Sequence, residues 1–226
     1  MSIKLVVFDI AGTTVSDKGN INDVFRDAFS NAGLTVEPAD VDAVMGYRKK
    51  EAIEIVVKKY KPGSEKDGGY IDAIHNDFTE QMVSFYENDE ALTPLPFAEK
   101  VFKELHSNQI KVALNTGFTR AITTPILKRL GWDKASFIDD VICSDEVPEG
   151  RPHPYMIQQL MRNLHISSAE DVVKVGDTKV DIEEGKNAGC WIVVAVTTGA
   201  YSKESLIKYQ PDYILDSLES LPSLIM

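Results

Sequence analysis

The chain is poor in cysteine, with two in 226 residues. Cys143 and Cys190 each lie in or beside an apolar run, so a disulfide-built scaffold is excluded and buried thiols in a reducing compartment are expected. Positive charge is also scarce: 24 Lys and Arg stand against 35 Asp and Glu, a formal net charge of -11. That balance excludes a broad nucleic-acid surface and a polybasic membrane patch, while leaving room for a small cationic pocket that takes an anion. Long apolar runs are missing too. No stretch approaches the roughly 18 consecutive apolar residues of a membrane span, and the first residues show no basic segment leading into an apolar core, so no signal peptide is expected. The expected location is cytoplasmic. What is present, 43% hydrophobic residues, suits a globular chain with a sizeable core, either one large domain or a domain carrying an insertion.

The most informative stretch is Leu5-Val6-Val7-Phe8-Asp9-Ile10-Ala11-Gly12-Thr13-Thr14. An apolar, β-branched run enters an aspartate and then a turn sequence, which reads as a buried strand with Asp9 at its carboxyl end. In open α/β sheets ligands gather at that edge. Asp9 there can bind a cation, attack phosphorus as a nucleophile, or merely cap the turn.

From about residue 20 to 89 the pattern turns helical. Ile21, Val24, Phe25, Ala28 and Phe29 recur at helical spacing, with Asn20 reading as the N-cap and Gly33 as the stop. A second helical piece runs from Pro38 through Val41 and Val44 to Gly46, and a third carries Ala52, Ile53, Ile55, Val56 and Val57 before Lys61-Pro62-Gly63-Ser64 breaks it. A fourth places Ile71, Ile74, Phe78, Met82 and Phe85 on one face. After Leu92 helices alternate with strands at 110–114, 141–143, 172–175 and 191–196, with an edge strand at 213–215; helices fall at 101–106, 124–130, 154–164 and before Gly189. This alternation implies parallel strands with right-handed crossovers. The expected fold is α/β, a doubly wound (Rossmann-like) parallel sheet carrying an inserted α-helical cap domain. Residues 1–15 and 91–226 form the core and 16–90 the cap, with hinges near 15–20 and 88–94.

Further polar residues fall at strand ends. Val175-Gly176-Asp177-Thr178-Lys179-Val180-Asp181 sets two carboxylates four residues apart at a helix start, where they either share a cation or simply decorate the positive end of the helix. Hard oxygen ligands of this kind suit Mg²⁺, and crowded carboxylates favour a neutralising metal. Thr116 before Gly117 offers a hydroxyl and backbone donors to a phosphate, or only makes a turn. Arg151 between Gly150 and Pro152 supplies a cation against a transferring phosphoryl group, unless it is a solvated surface residue.

Asp9, Thr116, Arg151 and the Asp177 with Asp181 pair, in that order, resemble the four motifs of the haloacid dehalogenase superfamily. That resemblance implies phosphoryl transfer through Asp9, with Mg²⁺ held by Asp9, the main-chain carbonyl of Ala11 and Asp177, and with Asp181 behind the metal ligands. Thr13, Gly117 and Arg48 are expected to contact substrate. Most phosphatases of the superfamily carry an acidic residue where this chain has Ala11, and losing a proton donor forfeits roughly 10² to 10⁴ in rate. Another activator is available in Met45-Gly46-Tyr47-Arg48-Lys49-Lys50, which resembles the cap motif of the phosphonatase branch, the phosphonoacetaldehyde hydrolases. By that resemblance Lys49 forms a Schiff base with an aldehyde, and Arg48 and Lys50 beside it favour its neutral amine. Thr116-Gly117-Phe118-Thr119-Arg120 and Pro148-Glu149-Gly150-Arg151-Pro152-His153-Pro154 resemble further motifs of the branch. Two departures stand out: the branch has histidine where this chain has Ala52, and tyrosine where it has Phe118.

The expected activity is therefore Mg²⁺-dependent hydrolysis of a small phosphonate, with phosphonoacetaldehyde as a candidate. The alternatives are a phosphatase acting on a small phosphorylated metabolite resembling phosphoglycolate or a sugar phosphate, and a regulatory homologue that keeps the pocket without the chemistry. An apolar cap helix would also serve a homodimer.

Overall fold

The computed structural model describes residues 2–16 and 19–226. Positions 17 and 18, which belong to the first expected hinge and to the start of the expected insert, lie outside the described residues.

Six parallel strands form one sheet in the order β3-β2-β1-β4-β5-β6. They are β1 (Leu5–Asp9), β2 (Lys111–Thr116), β3 (Asp140–Cys143), β4 (Val172–Gly176), β5 (Ile192–Val196) and β6 (Tyr213–Leu215). The register aligns Asp9 with Asn115 across the β1–β2 pair, and Phe8 with Val175 across β1–β4. The chain builds outward from β1 in one direction, then returns to its other side, so β1 lies at the switch in strand order. A crevice at the carboxyl edge is the usual result.

Alternate side chains of each strand enter opposite layers, as the period of two requires. Val6, Phe8, Val112 and Leu114 join the larger apolar cluster with α5 (Ala98–Ser107) and α6 (Arg120–Leu130). Leu5, Val7 and Ala113 face α7 (Tyr155–Asn163). On the same side α8 (Lys179–Ala188) and α9 (Lys203–Ile207) bury Ile182 and Leu206 against Val193 and Ala195. A short α10 (Leu221–Ile225) ends the chain. Both faces are thus covered, as an all-parallel sheet demands.

Between β1 and α5 the chain makes a helical insert of α1 (Asn20–Asn31), α2 (Pro38–Asp42), α3 (Lys49–Tyr60) and α4 (Gly68–Asn88). Its interior is aromatic: the rings of Phe25 and Phe78 meet edge to face with centroids 4.4 Å apart. Asp67 caps α4 by accepting a bond from the Tyr70 amide at 3.1 Å, which satisfies one of the free donors at that end. The two crossings between insert and sheet run side by side, Val15 bridging Pro94 and the Leu95 amide donating to Thr14 O at 2.8 Å.

Three local expectations need correction. Asn20 is the first helical residue of α1, and Gly19 at φ 88° precedes it without any side-chain cap. On α4 Tyr86, not Phe85, completes the buried face, because 86 continues the four-residue row from Phe78 and Met82. Helix α6 starts at Arg120 rather than 124, with Pro125 inside it. Proline there forfeits one backbone bond, while the hydroxyls of Thr123 and Thr124 bond to the carbonyls of Thr119 and Arg120 and keep the preceding turn helical. Cys143 is buried and Cys190 only partly so, both thiols free and both pushed up to about 12 by burial. No helix among the described residues is long and apolar enough to cross a membrane.

Candidate active site

The ends of β1, β2 and β4 converge with the first turn of α3 on a cleft of about 370 Å³, counting its open mouth. Asp9, Ala11, Thr116, Gly117, Asp177 and Lys49 all line it, with Ile21, Met45 and Phe118 as its apolar part. Here the sequence motifs, more than 160 residues apart at their extremes, become neighbours.

Beneath Asp9 lies a fully buried charge network. Arg151 is 0% exposed. Its Nη1 donates to Asp9 Oδ1 at 2.7 Å, Nε to Glu184 Oε2 at 3.1 Å, and Nη2 to both the backbone oxygen and Oδ1 of Asn115 at 2.8 and 2.6 Å. Lys174 donates to the same Asn115 Oδ1 at 2.8 Å and pairs with Asp181 at 2.9 Å. Asp181 also pairs with Arg151 at 3.0 Å and accepts the Thr178 hydroxyl at 2.5 Å. A planar guanidinium with its donors so distributed has one orientation, which fixes where its charge meets the carboxylate of Asp9.

Asp177 is held from behind. The Thr13 hydroxyl donates to its Oδ1 at 2.9 Å, and the Ala200 amide to its Oδ2 at 2.7 Å. Thr13, expected to contact substrate, is fully buried, positions a site carboxylate and is absent from the residues that line the cleft. Gly12 is needed beside it: at φ +84° any side chain would be strained, and a Cβ would come within 2.7 Å of Asp177 Oδ2.

The carboxylates divide by environment. Burial raises Asp9 to about 6 despite Arg151. Burial, and then the charges of Asp9 and Asp181, push Asp177 well above the ordinary value. Burial acts on Asp181 as well, but Arg151 and Lys174 outweigh it and hold that group low. Four buried carboxylates, Asp9, Asp177, Asp181 and Glu184, share the site with three buried basic side chains, Arg151, Lys174 and Lys49. Arg151 and Lys174 pair with Asp181 and Glu184 in the floor, and Asp9 and Asp177 are the two carboxylates on the cleft, hard oxygen donors that fit a divalent cation. Among the described residues no group of three or more His, Cys, Asp or Glu is arranged to hold a metal. A cation here would take two carboxylates, a backbone oxygen, waters and substrate oxygens, which is the habit of Mg²⁺ and not of zinc.

Lys49 is the first residue of α3 and only 3% exposed. Its ammonium lies 5.7 Å from the ring centre of Phe25 and 5.1 Å from that of Phe118. Its neighbours point elsewhere. Lys50 pairs with Asp72 at 2.5 Å, and Arg48 Nη1 donates to Pro148 O at 3.0 Å, so neither is the adjacent cation expected beside Lys49 and Arg48 does not line the cleft. The three part because the side chains at either side of a helical residue leave on different faces.

Residues 3–189 match the family haloacid dehalogenase-like hydrolase. The chain belongs to this family. Among curated haloacid dehalogenase-like relatives, phosphonoacetaldehyde hydrolase of Paraburkholderia phytofirmans is 32% identical over 210 residues, 88% of this chain and 77% of that one. The enzyme of the same name from Latilactobacillus sakei is 30% identical over 226 residues, 95% of this chain and 81% of its own. A phosphonoacetaldehyde hydrolase-like protein from Oleispira antarctica superposes with a TM-score of 0.85 at 23% identity, over 100% of this chain and 92% of that one. This family member is a hydrolase, and its similarity lies with the phosphonatase branch.

Asn115, Lys174 and Glu184 escaped the sequence reading, as did the clasp of Arg48 on the 147–150 loop. One signal was available. Lys174 interrupts an otherwise apolar strand, and a charge inside a strand buried on both faces must have a partner.

Proposed function

We propose that the protein hydrolyses the carbon–phosphorus bond of a small phosphonate aldehyde, with phosphonoacetaldehyde as the first candidate, using Lys49 and Asp9 as catalytic residues. The observation that carries this reading is the burial of Lys49 in the same cleft as Asp9, with no acid at Ala11. Cleaving a carbon–phosphorus bond leaves an electron pair on carbon that no ordinary acid stabilises. An amine from the insert solves this. Its nitrogen condenses with the aldehyde and releases water, giving a protonated imine.

The carboxylate of Asp9 then attacks phosphorus. The carbon–phosphorus pair moves into the imine to form an enamine, which takes a proton on carbon. Water hydrolyses the aspartyl phosphate and the imine, so the balance is one aldehyde phosphonate and one water consumed, with phosphate and the dephosphonylated aldehyde released. Arg151, fixed by Glu184 and Asn115, orients Asp9 and opposes the negative charge of the group being transferred. Thr116 and Gly117 at the end of β2 receive the phosphoryl oxygens. Asp9, the Ala11 carbonyl and Asp177 would hold Mg²⁺, with Asp181 behind them, and the ion when bound neutralises charge on the attacking carboxylate and the phosphoryl group. Residues 16–90 act as the cap over the core of 1–15 and 91–226. A cleft of this size takes a small metabolite, not a polymer.

The test is chemical trapping. Borohydride added during turnover of phosphonoacetaldehyde should leave a reduced adduct on the peptide carrying Lys49, and Lys49→Ala should fall to background phosphate release. Unmodified Lys49 under turnover, or phosphate released from simple esters with little loss in Lys49→Ala, would sink the reading in favour of an ordinary phosphatase.

A further inference from the structure

Helix α3 enters the site with three consecutive functions in one turn. Lys49 turns into the cleft. Arg48 before it and Glu51 after it turn instead onto the loop that delivers Arg151. Arg48 Nη1 donates to Pro148 O at 3.0 Å and lies 3.5 Å from Val147 O, while the Gly150 amide donates to Glu51 Oε1 at 3.3 Å. The loop therefore gives carbonyls to the cation and an amide to the carboxylate. Gly150 lets the backbones meet: a Cβ there would lie 2.5 Å from Arg48 Cβ. The same closeness recurs at Gly117, where a Cβ would run into the carbonyls of Gly46 and Tyr47. The next residue after Gly150 is Arg151, whose guanidinium rests on Asp9.

We propose that Arg48 and Glu51 are positioning residues that latch the insert to the 147–150 loop, so that Lys49 and the Arg151–Asp9 pair reach working registration together. The insert's nucleophilic amine and the core's nucleophilic carboxylate belong to separate units, and a rigid element must set their separation. This latch is that element: one side of it is the helical turn carrying Lys49, the other the loop carrying Arg151. With it open, Lys49 retreats with α3 and the loop amide and carbonyls are left to water. The proposal rests on the reading that Lys49 works on substrate, but its geometry is testable without turnover.

Arg48→Met and Glu51→Leu keep most of the side-chain volume while removing the bonds, and Gly150→Ala wedges the two backbones apart with both bonding side chains intact. In all three, hydrogen exchange at 147–151 should quicken, and Lys49 should be labelled faster by formaldehyde and borohydride without substrate, at an unchanged thermal midpoint. With phosphonoacetaldehyde, kcat should fall about 100-fold, the loss that a misplacement of about 1 Å brings, while KM moves far less. Wild-type exchange and labelling rates in Arg48→Met and Glu51→Leu would overturn the latch. If wild type leaves phosphonoacetaldehyde untouched, the proposed substrate fails, and the exchange and labelling results alone decide the latch.

Discussion

Arg151 has no water to hold its charge, so the residues around it must. Glu184 is the acceptor at its Nε and approaches Lys174 at 3.5 Å, while both of its oxygens accept from the Asn115 amide at 2.9 Å. Glu184→Gln keeps the volume and removes one buried charge from a network already closed to solvent. Breaking a buried ion network in this way costs about 3–5 kcal/mol. Denaturant unfolding should show that loss, and activity should fall with it, since Arg151 would be free to rotate off Asp9. Stability within about 0.5 kcal/mol of wild type would show that the network is not closed as described. These residues also mark the limit of what the sequence revealed. Asp9, Thr116 and Asp177 were readable because each ends an apolar run at a turn. Glu184 sits in mid-helix beside another glutamate, and Asn115 within a strand, where nothing local distinguishes a buried anchor from a solvated face. Only the strand order, which puts β1 between β2 and β4, gives them a common partner.

Helix α3 shows how an element's rotation assigns roles that spacing alone leaves open. Lys49 and Ala52 are three residues apart and share a face, yet Ala52 is wholly buried in the apolar cluster and does not line the cleft. The histidine that the phosphonatase branch carries at this position therefore has no room here. Ala52→His should overpack the insert, with a loss of about 1–3 kcal/mol, and bring no gain in kcat. A faster enzyme at unchanged stability would mean that position 52 does reach the substrate. The helical period of the insert was legible in its apolar residues, including the break after Tyr60. The bonding targets of Arg48 and Lys50 were not, because a charged run reads the same whether its members meet a loop, a neighbouring helix or water.

Across the whole molecule acids outnumber bases, with a net charge of -11, and the cleft repeats that imbalance by carrying the buried carboxylates of Asp9 and Asp177. The second imbalance has a measurable consequence. Asp9 is raised to about 6 in the folded protein, above the roughly 3.9 of an unfolded aspartate. Without metal, the folded chain keeps a proton that the unfolded chain gives up between about pH 4 and 6. That contribution to stability is complete below about pH 4 and is lost as pH rises through 6, the reverse of a salt-bridged carboxylate. A divalent cation bound by Asp9 and Asp177 would take the proton's place. Mg²⁺ at about 100 times its dissociation constant should therefore stabilise the protein at pH 7.5 by about 2.7 kcal/mol over the EDTA-treated form. At pH 5 the increment should shrink, because the proton competes for Asp9. Asp177→Asn removes one of the two carboxylates on the cleft, so it should abolish the Mg²⁺ increment while leaving the metal-free protein no less stable. Thermal unfolding of both proteins at the two pH values, with and without Mg²⁺, reads all of this. An increment that is the same at pH 5 and 7.5, or that survives in Asp177→Asn, would place the cation somewhere other than between these two aspartates.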